Sequence, residues 1–329
     1  MAKKLLDTEL RKIQHVNIVV KNNVQFRDKS NGLNEIELEY KTLPEINKSE
    51  ISTDIEFLGK VFSAPLFVSG MTGGAKSVEQ INKDIAKACE EIGIGMGVGS
   101  QRAMLEDPSL ASTYFVRDVA PSIFLAGNIG VTQLKKYSRQ QIEEMLDLIK
   151  ADVLAVHINA AQEAVQPEGT PEFEGCLEQI ALLADELSKP VYVKEVGAGI
   201  SKETAQELAK TKIAAIDVGG AGGTSWTAVE YLRGNERDGP FWDWGIPTAQ
   251  SIKEVREVWE GPLIATGGIR NGLDAAKAIA LGADLAGMAF PVLQAQQKGG
   301  FKAVKSFLEK TINELRTAMF LIGEKSLSD

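Results

Sequence analysis

Three glycine-rich turns in the second half of the chain decide the fold. They read Gly219-Gly220-Ala221-Gly222-Gly223-Thr224, then Thr266-Gly267-Gly268-Ile269-Arg270, then Ala286-Gly287-Met288-Ala289. The second turn follows the apolar run Pro262–Ala265, and the third comes after a segment with helical spacing. In eight-stranded β/α barrels, the loops after the seventh and eighth strands commonly bind phosphate through backbone N–H groups and a helix N-terminus. The two later turns therefore predict a phosphate site at the mouth of a barrel.

Eight short runs rich in β-forming residues recur along the chain, and each is followed by a helical pattern. They are Pro65–Ser69, Ile94–Val98, Ile123–Ala126, Val153–Asn159, Val191–Val196, Ala214–Val218, Leu263–Thr266 and Leu285–Met288. Strict alternation of strands and helices implies parallel strands. Eight repeats in about 250 residues favour a (β/α)8 TIM barrel over a doubly wound sheet. An open sheet with a helical appendage is the alternative.

The first 60 residues break this alternation, so we predict one structural domain with an N-terminal extension over residues 1–60 and the barrel over residues 61–329. Within the extension, Leu33–Tyr40 and Ile51–Phe62 are interpreted as strands or a hairpin that covers the barrel floor. A polar, basic arm from Ala2 to His15 precedes them. A frayed tail and a functional segment are both consistent with this arm.

Charge and composition exclude several classes of protein. With 36 basic and 45 acidic residues, the net charge of −9 argues against a nucleic-acid partner. No apolar run approaches the length of about 20 residues that spans a bilayer, and the N-terminus lacks the apolar core of a signal peptide. We therefore expect a soluble, cytoplasmic protein without a membrane partner. Cys89 and Cys176 fall in helical patterns without Cys or His at ligand spacing, which predicts inert buried thiols.

The first three strand ends carry groups suited to a ring and an anion. After the first strand comes Ser69-Gly70-Met71-Thr72-Gly73-Gly74, where glycines allow close approach of a flat ring and Thr72 can hydrogen-bond a ring heteroatom. A tight turn that caps a helix would explain the glycines alone. After the second strand, Ser100 and Arg102 suit a phosphate or carboxylate, although an exposed arginine at a helix start is the alternative. Asn128, at the third strand end, can offer an amide to a heterocycle.

The fourth strand end is richer, because His157, Asn159, Gln162 and Glu163 lie within seven residues. Period-two alternation places His157 and Asn159 on the same side of the strand. The chain has only two histidines, so one on the inner wall of a barrel indicates function. A hydrogen-bonded structural histidine is the alternative.

The fifth strand contains Lys194 among β-branched neighbours. This lysine must face solvent or meet an anion inside the barrel, because burial of an unpaired charge is too costly. The edge of a reduced flavin ring is one partner, and a Schiff-base carbonyl is another. In the sixth turn, Thr224 is a hydroxyl donor and Trp226 an aromatic wall.

At this point the residues resemble a known family, the type II, FMN-dependent isopentenyl-diphosphate isomerases. The motifs that carry the resemblance are Arg11-Lys12-x-x-His15, Met71-Thr72-Gly73-Gly74, Ser100-Gln101-Arg102, His157-x-Asn159-x-x-Gln162-Glu163, Val193-Lys194-Glu195, Gly219 to Trp226, Gly267-Gly268-Ile269-Arg270 and Ala286-Gly287. They run nearly end to end. The basic pair together with the His-x-Asn-x-x-Gln-Glu strand end is the specific part, since single glycine motifs recur across FMN barrels.

The resemblance implies a role for each motif residue. The FMN ring and ribityl chain would be held by Met71, Thr72, Gly73, Ser100, Asn128, Lys194 and Thr224, and the FMN phosphate by Gly268, Ile269, Arg270, Ala286 and Gly287. The substrate diphosphate would be held by Arg11, Lys12, Ser100, Gln101 and Arg102. Glu163 would bind Mg²⁺. The substrate pocket would be lined by His157, Asn159 and Gln162, with Glu230 beside Gln162. The resemblance also implies that the basic arm from Ala2 to His15 is a lid over the site.

The implied reaction converts isopentenyl diphosphate to dimethylallyl diphosphate without net redox change. Reduced FMN would act as acid and base, its charge balanced by Lys194, and NAD(P)H would only reduce it. Gln162 with Glu230 and the flavin N5 remain alternative proton carriers, and His157 completes the candidate catalytic set. The family also implies a homo-oligomer, a tetramer or an octamer.

Three other functions compete with this one. A 2-hydroxyacid oxidase shares the phosphate loops but needs a late histidine base, and this chain has no histidine after His157. A nucleotide dehydrogenase with a covalent cysteine is disfavoured because neither cysteine lies at a strand end. A non-catalytic flavin-binding barrel would leave Arg11, Lys12, Arg102 and Glu163 unexplained.

Overall fold

The fold is known from a computed structural model that describes residues 7–327. The strands are β1 (Ile55–Phe57), β2 (Lys60–Phe62), β3 (Leu66–Val68), β4 (Gly95–Gly97), β5 (Leu125–Gly130), β6 (Val153–Ile158), β7 (Val191–Glu195), β8 (Ala215–Asp217), β9 (Leu263–Thr266) and β10 (Leu285–Met288). The helices are α1 (Asp7–Lys21), α2 (Glu79–Ile92), α3 (Arg102–Glu106), α4 (Arg139–Leu148), α5 (Ala160–Val165), α6 (Cys176–Glu186), α7 (Lys202–Leu208), α8 (Trp226–Arg233), α9 (Thr248–Arg256), α10 (Gly272–Ala280) and α11 (Phe290–Ile322).

Strands β3 to β10 form a closed, all-parallel barrel in sequence order, which confirms the predicted (β/α)8 fold. The last strand returns to the first through the pairs Ala286↔Leu66 and Met288↔Val68, so no open edge remains in this sheet. The open-sheet alternative is thereby excluded. Strand β5 extends beyond the predicted run, because Gly130 still pairs with His157 of β6. Asn128 therefore lies within a strand rather than after it.

The helices begin and end where local signals place them. In α2, Ile81 and Ile85 face the core, and the helix ends at Gly93, whose φ of 82° is left-handed and suits glycine. Helix α4 starts with a capping box between Ser138 and Gln141. The two cysteines lie buried and free inside α2 and α6, as predicted.

The barrel floor is closed by the antiparallel hairpin β1–β2, which confirms the prediction for the second half of Ile51–Phe62. Phe57 and Phe62 of this hairpin are buried and pack against Phe124, with ring centroids 6.0 and 5.6 Å from it. The site described below is at the opposite end of the barrel.

The predicted strand at Leu33–Tyr40 is wrong. Leu33–Glu35 form a single 3-10 turn, and the following residues are irregular. This segment runs along the outside of α10 and α11, where Lys277 Nζ donates to the carbonyl of Leu33 and the N–H of Lys41 donates to Leu321. Helices offer no strand edge for a ladder, so the β pattern of these residues is not used.

The N-terminal extension also reaches the mouth of the barrel. Helix α1 replaces the expected arm, and residues 2–6 of that arm lie outside the described part of the chain. After α1, Gln25 forms a bridge with Thr224, and Asn31 Nδ2 donates to the carbonyl of Gly268 at 2.8 Å. The extension thus contacts both ends of the barrel. Among residues 7–327, no helix combines the length and apolarity needed to cross a membrane.

Candidate active site

A deep cavity opens at the carboxyl ends of the barrel strands, and α1 covers it with one face. That face presents Arg11, Lys12, His15, Val16 and Val19, which follow helical spacing. The predicted site residues that line the cavity are Arg11, Lys12, Met71, Thr72, Ser100, Arg102, Asn128, His157, Asn159, Gln162, Glu163, Lys194, Thr224, Gly268, Ile269, Arg270 and Gly287. Residues from every barrel strand end therefore meet in one space.

Four predicted residues, Gly73, Gln101, Glu230 and Ala286, are not part of the lining. Gln101 is fully buried, its Oε1 accepts from the N–H of Asn128 at 2.9 Å, and its Nε2 faces the carbonyl of Met145 at 3.4 Å. Its side chain supports β5 and is not part of the cavity lining. Gly73 packs against Tyr114, and Ala286 lies within β10.

One wall of the cavity carries buried hydroxyl groups without a partner. Within residues 7–327, the hydroxyl oxygens of Ser69 and Thr72 have no hydrogen-bond partner, although both residues line the cavity. Buried polar groups are nearly always hydrogen-bonded, so these two indicate a polar ligand. Lys194 also lines the cavity, from β7 on the opposite side of the closed barrel, where its Nζ donates to the carbonyl of Glu195 at 2.8 Å. These groups fit a flavin ring with polar edges.

The loop after β9, one of the two predicted phosphate loops, contains two glycines in the left-handed region. Gly267 and Gly268 have φ values of 110° and 73°, which a residue with a side chain adopts only with strain. Arg270 lies beside them, with its guanidinium 5.2 Å from the centre of the Phe290 ring. A hydrogen bond from Arg270 to the Gln25 side chain holds it toward the cavity.

His157 is neutral and oriented. Burial, with additional repulsion from Lys194, Lys12 and Arg11, lowers its pKa to about 3. Its Nδ1 lies 2.8 Å from Asn128 Oδ1, while Asn128 Nδ2 donates to the carbonyl of Val98. Because the Asn128 oxygen is an acceptor, the proton sits on Nδ1 of His157 and Nε2 keeps its lone pair. The Nε2 atom of the ring is therefore an acceptor.

Two buried acids flank Lys194, and sequence reasoning assigned neither a role. Glu195 Oε2 accepts from the N–H groups of Val196 and Gly197 at 2.6 Å each, and burial raises the pKa of Glu195 to about 7. Asp217 is the register partner of Lys194 on β8, and its Oδ1 accepts from Thr266 at 2.6 Å. Burial raises the pKa of Asp217, whereas the positive charge of Lys194 lowers it.

Three cations converge in the same cavity. Arg11 and Lys12 of α1 face Arg102 at the start of α3. Burial lowers the pKa of Lys12 to about 7, and repulsion from Arg11 and Arg102 adds to this effect. Positive charges held together in a partly desolvated space favour a polyanion. The cluster is therefore suited to a ligand with several negative charges.

A hydrogen-bonded carboxylate supports the fourth strand end from behind. Glu230 is buried, and its Oε1 accepts from Gln162 Nε2 at 2.7 Å and lies 3.0 Å from His15 Nε2. Its Oε2 accepts from Arg233 Nε at 2.7 Å. Although burial raises the pKa of Glu230, these donors outweigh it and hold the pKa below its usual range. Glu230 is therefore an anion that orients the Gln162 amide.

Glu163, the predicted Mg²⁺ ligand, lines the cavity and is held by two hydrogen bonds. Its Oε1 accepts from Asn159 Nδ2 at 3.0 Å, and its Oε2 accepts from the N–H of Thr170 at 2.6 Å. In the described part of the chain, no group of three or more His, Cys, Asp or Glu residues is placed to hold a metal. Mg²⁺ commonly uses one or two carboxylates, several waters and substrate phosphates, so a single Glu163 is compatible with a site completed by substrate.

Sequence reasoning missed several residues that complete the site. Gln25, Gln166, Glu168 and Arg233 lie in segments without a recognisable motif. Only Arg233 could have been found from the sequence, because it follows Glu230 by three residues and therefore lies on the same face of one helix. The other three come close to the site only because the folded chain passes beside it.

Comparison with known proteins agrees with this geometry. The profile of the FMN-dependent dehydrogenase family matches residues 2–113 and 132–329. A double mutant of flavocytochrome b2 with sulfite bound superimposes with a TM-score of 0.70 at 18% identity, over 96% of this chain and 80% of that chain. Lactate oxidase from Pediococcus acidilactici superimposes with a TM-score of 0.69 at 19% identity, over 99% of this chain and 93% of that chain. The chain is thus a member of the FMN-dependent dehydrogenase class of barrels.

Within that class, relatives of higher sequence identity belong to one narrower family. A protein of Thermococcus kodakarensis is 46% identical over 98% of this chain and 89% of its own length. A protein of Methanothermobacter thermautotrophicus is 45% identical over 97% of this chain and 90% of its own length. Both are named isopentenyl-diphosphate delta-isomerase. The chain belongs to the isopentenyl-diphosphate delta-isomerase family, which confirms the family resemblance read from its motifs.

Proposed function

We propose that this protein interconverts isopentenyl diphosphate and dimethylallyl diphosphate with bound FMN in its reduced form. The observation that carries the proposal is the composition of one cavity. The unpartnered hydroxyls of Ser69 and Thr72, the buried Lys194 and a cluster of three cations all line it, and the Gln162 amide is held beside them by Glu230. The hydroxyls and Lys194 suit a flavin, and the cation cluster suits a diphosphate.

The diphosphate would be bound by the cation cluster, Arg11, Lys12 and Arg102, with Ser100 as a hydroxyl donor. Glu163 would hold Mg²⁺ against the diphosphate oxygens. Gln101 takes no part, because its amide is occupied inside the protein. Charge-assisted hydrogen bonds of this kind supply both affinity and orientation.

The five-carbon chain of the substrate would then extend toward the proposed flavin site, between His157, Gln162 and Trp226. FMN, held through Thr72, Asn128, Lys194 and the phosphate loops, would supply acid–base chemistry and negative charge in its reduced form. The chain's own groups orient the alkene. His157 is an uncharged acceptor, and the Gln162 amide is fixed between Asn159 and Glu230 at 3.1 and 2.7 Å.

Helix α1 would exclude water from the reacting carbons. Val16 and Val19 line the cavity next to the cations of the same helix. An apolar cover matters here because a tertiary cation formed by protonation of the alkene would otherwise be captured by water. Removal of water also strengthens the interaction of the cations with the diphosphate.

The experiment that tests this function uses the purified protein with its flavin. We expect a yellow protein that forms dimethylallyl diphosphate from isopentenyl diphosphate only after dithionite bleaches it. NADH or NADPH should replace dithionite, and comparison of the two shows which is preferred. Turnover of lactate or glycolate by the oxidised protein, without isomerisation, would instead establish an oxidase. Neither activity would indicate a flavin-binding barrel.

Magnesium dependence is tested separately on the Glu163→Gln variant. Removal of one ligand charge should raise the Mg²⁺ concentration needed for half-maximal turnover, while the FMN absorbance stays the same. Wild-type protein dialysed against EDTA should lose turnover and regain it with Mg²⁺. Loss of flavin from Glu163→Gln would reassign this residue to the cofactor site.

We also propose that the protein acts in the cytoplasm as a homo-oligomer, a tetramer or an octamer. The support is the family resemblance, together with exposed aromatic side chains at Phe241 and Trp244, which are 45% and 61% exposed. Light scattering after gel filtration gives the mass of the assembly. A monomer of 35.6 kDa at micromolar concentration contradicts this part of the proposal.

A further inference from the structure

We propose that Arg233 and Glu168 are positioning residues that connect helix α1 to the Gln162–Glu230 pair. Closure of α1 over the substrate and ordering of the Gln162 amide would then occur together. This inference rests on the proposed function and deepens it, because it assigns roles to residues outside the cavity lining.

The connection starts at Arg233, whose guanidinium joins two carboxylates. Its Nε donates to Glu230 Oε2 at 2.7 Å, and its Nη2 donates to Glu168 Oε2 at 2.6 Å. Glu230 lies three residues earlier on α8, whereas Glu168 lies 65 residues earlier, in the loop between α5 and α6. The Arg233 side chain is 13% exposed and that of Glu230 is fully buried. We call this arrangement the Arg233 bridge.

From the Arg233 bridge the contacts continue to α1. Glu168 Oε1 lies 3.9 Å from Arg11 Nη1. Gln166 makes a parallel contact when its amide is oriented to satisfy its neighbours. In that orientation its nitrogen donates to Glu230 at 3.0 Å and its oxygen accepts from Arg11 at 3.1 Å. Two routes therefore lead from Glu230 to the same arginine of α1.

The position between these two carboxylates suits an arginine. A guanidinium presents separate N–H groups at fixed angles, so that it can bind one carboxylate at Nε and another at Nη2. A lysine is a single point of charge on a flexible chain and cannot reproduce both contacts. Without a cation at this position, Glu168 would lose its connection to α8.

The consequence for Gln162 follows from the buried charge of Glu230. Gln162 Nε2 donates to Glu230, so its Oε1 is turned toward Asn159. Loss of the Arg233 bridge leaves a buried carboxylate with fewer donors, and such a group protonates or rotates. Either change removes the acceptor that orients the Gln162 amide. Glu168, in contrast, contacts Arg11 and not Gln162, so its loss acts on substrate binding.

The two residues are therefore distinguished by kinetics. Arg233→Met should lower kcat about ten- to a hundredfold, because small displacements of a catalytic group have effects of this size. Glu168→Gln should raise KM for isopentenyl diphosphate severalfold and leave kcat near the wild-type value. Arg233→Lys keeps the charge and should give an intermediate kcat. All variants should keep the FMN absorbance.

Arg139→Met is the matched control. Arg139 also lies near two carboxylates, Glu143 and Glu186, at 3.9 Å each, but on the exposed surface. Its removal should change neither kcat nor KM. Wild-type constants in folded, FMN-loaded Arg233→Met would overturn the proposal, as would an equal effect of Arg139→Met. If Arg233→Met does not fold, Arg233→Lys and Glu168→Gln decide by the same split between kcat and KM.

A second measurement separates this inference from the proposed function. Trypsin cleavage within α1 is followed in the FMN-loaded protein, with and without inorganic pyrophosphate. Arg233→Met and Glu168→Gln should be cut faster than wild-type protein and Arg139→Met. Faster cleavage in a protein without isomerase activity would sustain the connection and reject the function. Equal cleavage together with wild-type kinetics in an active enzyme would reject the connection alone.

Discussion

Lys12 shows how a single side chain acquires a property that its sequence neighbours do not indicate. It follows Arg11 in α1, and the fold brings Arg102 toward both. Burial and these two charges lower the pKa of Lys12 to about 7, which is far below that of a free lysine. A bound anion restores the charged form. Lys12 is therefore a cation whose charge depends on both pH and ligand.

This gives a pH prediction for anion binding. Because a lowered pKa means that Lys12 loses its proton as pH rises through about 7, the affinity for inorganic pyrophosphate should fall over that range. Lys12→Met should flatten the dependence and reduce affinity at pH 6 about ten- to a hundredfold. Titration calorimetry at pH 6 and pH 8 measures both effects. Lys21→Met, in the exposed last turn of α1, is the control, and an unchanged pH slope in Lys12→Met contradicts the assignment.

Lys194 carries a second prediction at the same scale. Its side chain is buried on the cavity wall with Asp217 as its register partner, and its charge would also stabilise a bound reduced flavin. Lys194→Ala should lower FMN retention after gel filtration or reduce turnover sharply, and absorbance at the flavin bands measures retention. A Lys194→Ala protein with full flavin and normal turnover would show that the charge is not used.

Among the elements, α1 combines binding and closure. One face carries the cations that meet the diphosphate, and the next turns carry valines that cover the cavity. His15 of the same helix packs edge-on against Trp226, with 5.2 Å between ring centres, so α1 is joined to α8 at the site. Val19 of α1 belongs to the main hydrophobic core, so the helix is packed on the barrel as well as placed over the cavity.

Removal of residues 1–12 tests the role of α1. The truncated protein should retain FMN, because the residues proposed to hold FMN lie on the barrel and not on α1. Its KM for isopentenyl diphosphate should rise about a hundredfold or more, since two charge-assisted contacts of about 1.5–3 kcal/mol each are lost. Steady-state kinetics measure the effect. Wild-type KM and turnover would mean that the diphosphate rests on Ser100, Arg102 and Mg²⁺ alone.

On the scale of the whole molecule, stability and activity lie at opposite ends of the barrel. The floor is filled by aromatic rings from the β1–β2 hairpin and from Phe124, while the site occupies the strand carboxyl ends. This separation is typical of β/α barrels. It predicts that floor substitutions change stability without changing the chemistry.

Phe62→Ala tests this separation. Phe62 is 1% exposed, so its truncation should lower the free energy of unfolding by about 3–5 kcal/mol. KM and kcat at a temperature where the protein stays folded should be unchanged. Val61→Ala, on the same hairpin but 75% exposed, is the control and should change stability by less than about 0.5 kcal/mol. Denaturant unfolding measures both, and a loss of activity in folded Phe62→Ala would contradict the separation.

Much of the molecule follows from local patterns in the sequence. The eight strands, the end of α2 at Gly93 and the glycine turns at Gly267 and Gly268 are encoded within a few residues, because periodicity and backbone freedom are local properties. Parallel strands bring their carboxyl ends together, so the sequence alone predicts that the strand-end residues line one cavity. The presence of Arg11 and Lys12 there required the family resemblance.

The tertiary structure alone decided the contacts between distant segments. Arg270 meets Gln25 across 245 residues, and Arg233 meets Glu168 across 65. The direction of the Gln101 side chain and the irregular path of Leu33–Tyr40 also depended on what packs beside them. Such contacts join surfaces whose approach is set by the path of the whole chain, and a side chain turns toward its partner only after that path exists. The sequence by itself therefore determined most of the groups that surround the cavity, and the packing determined how each of them is held.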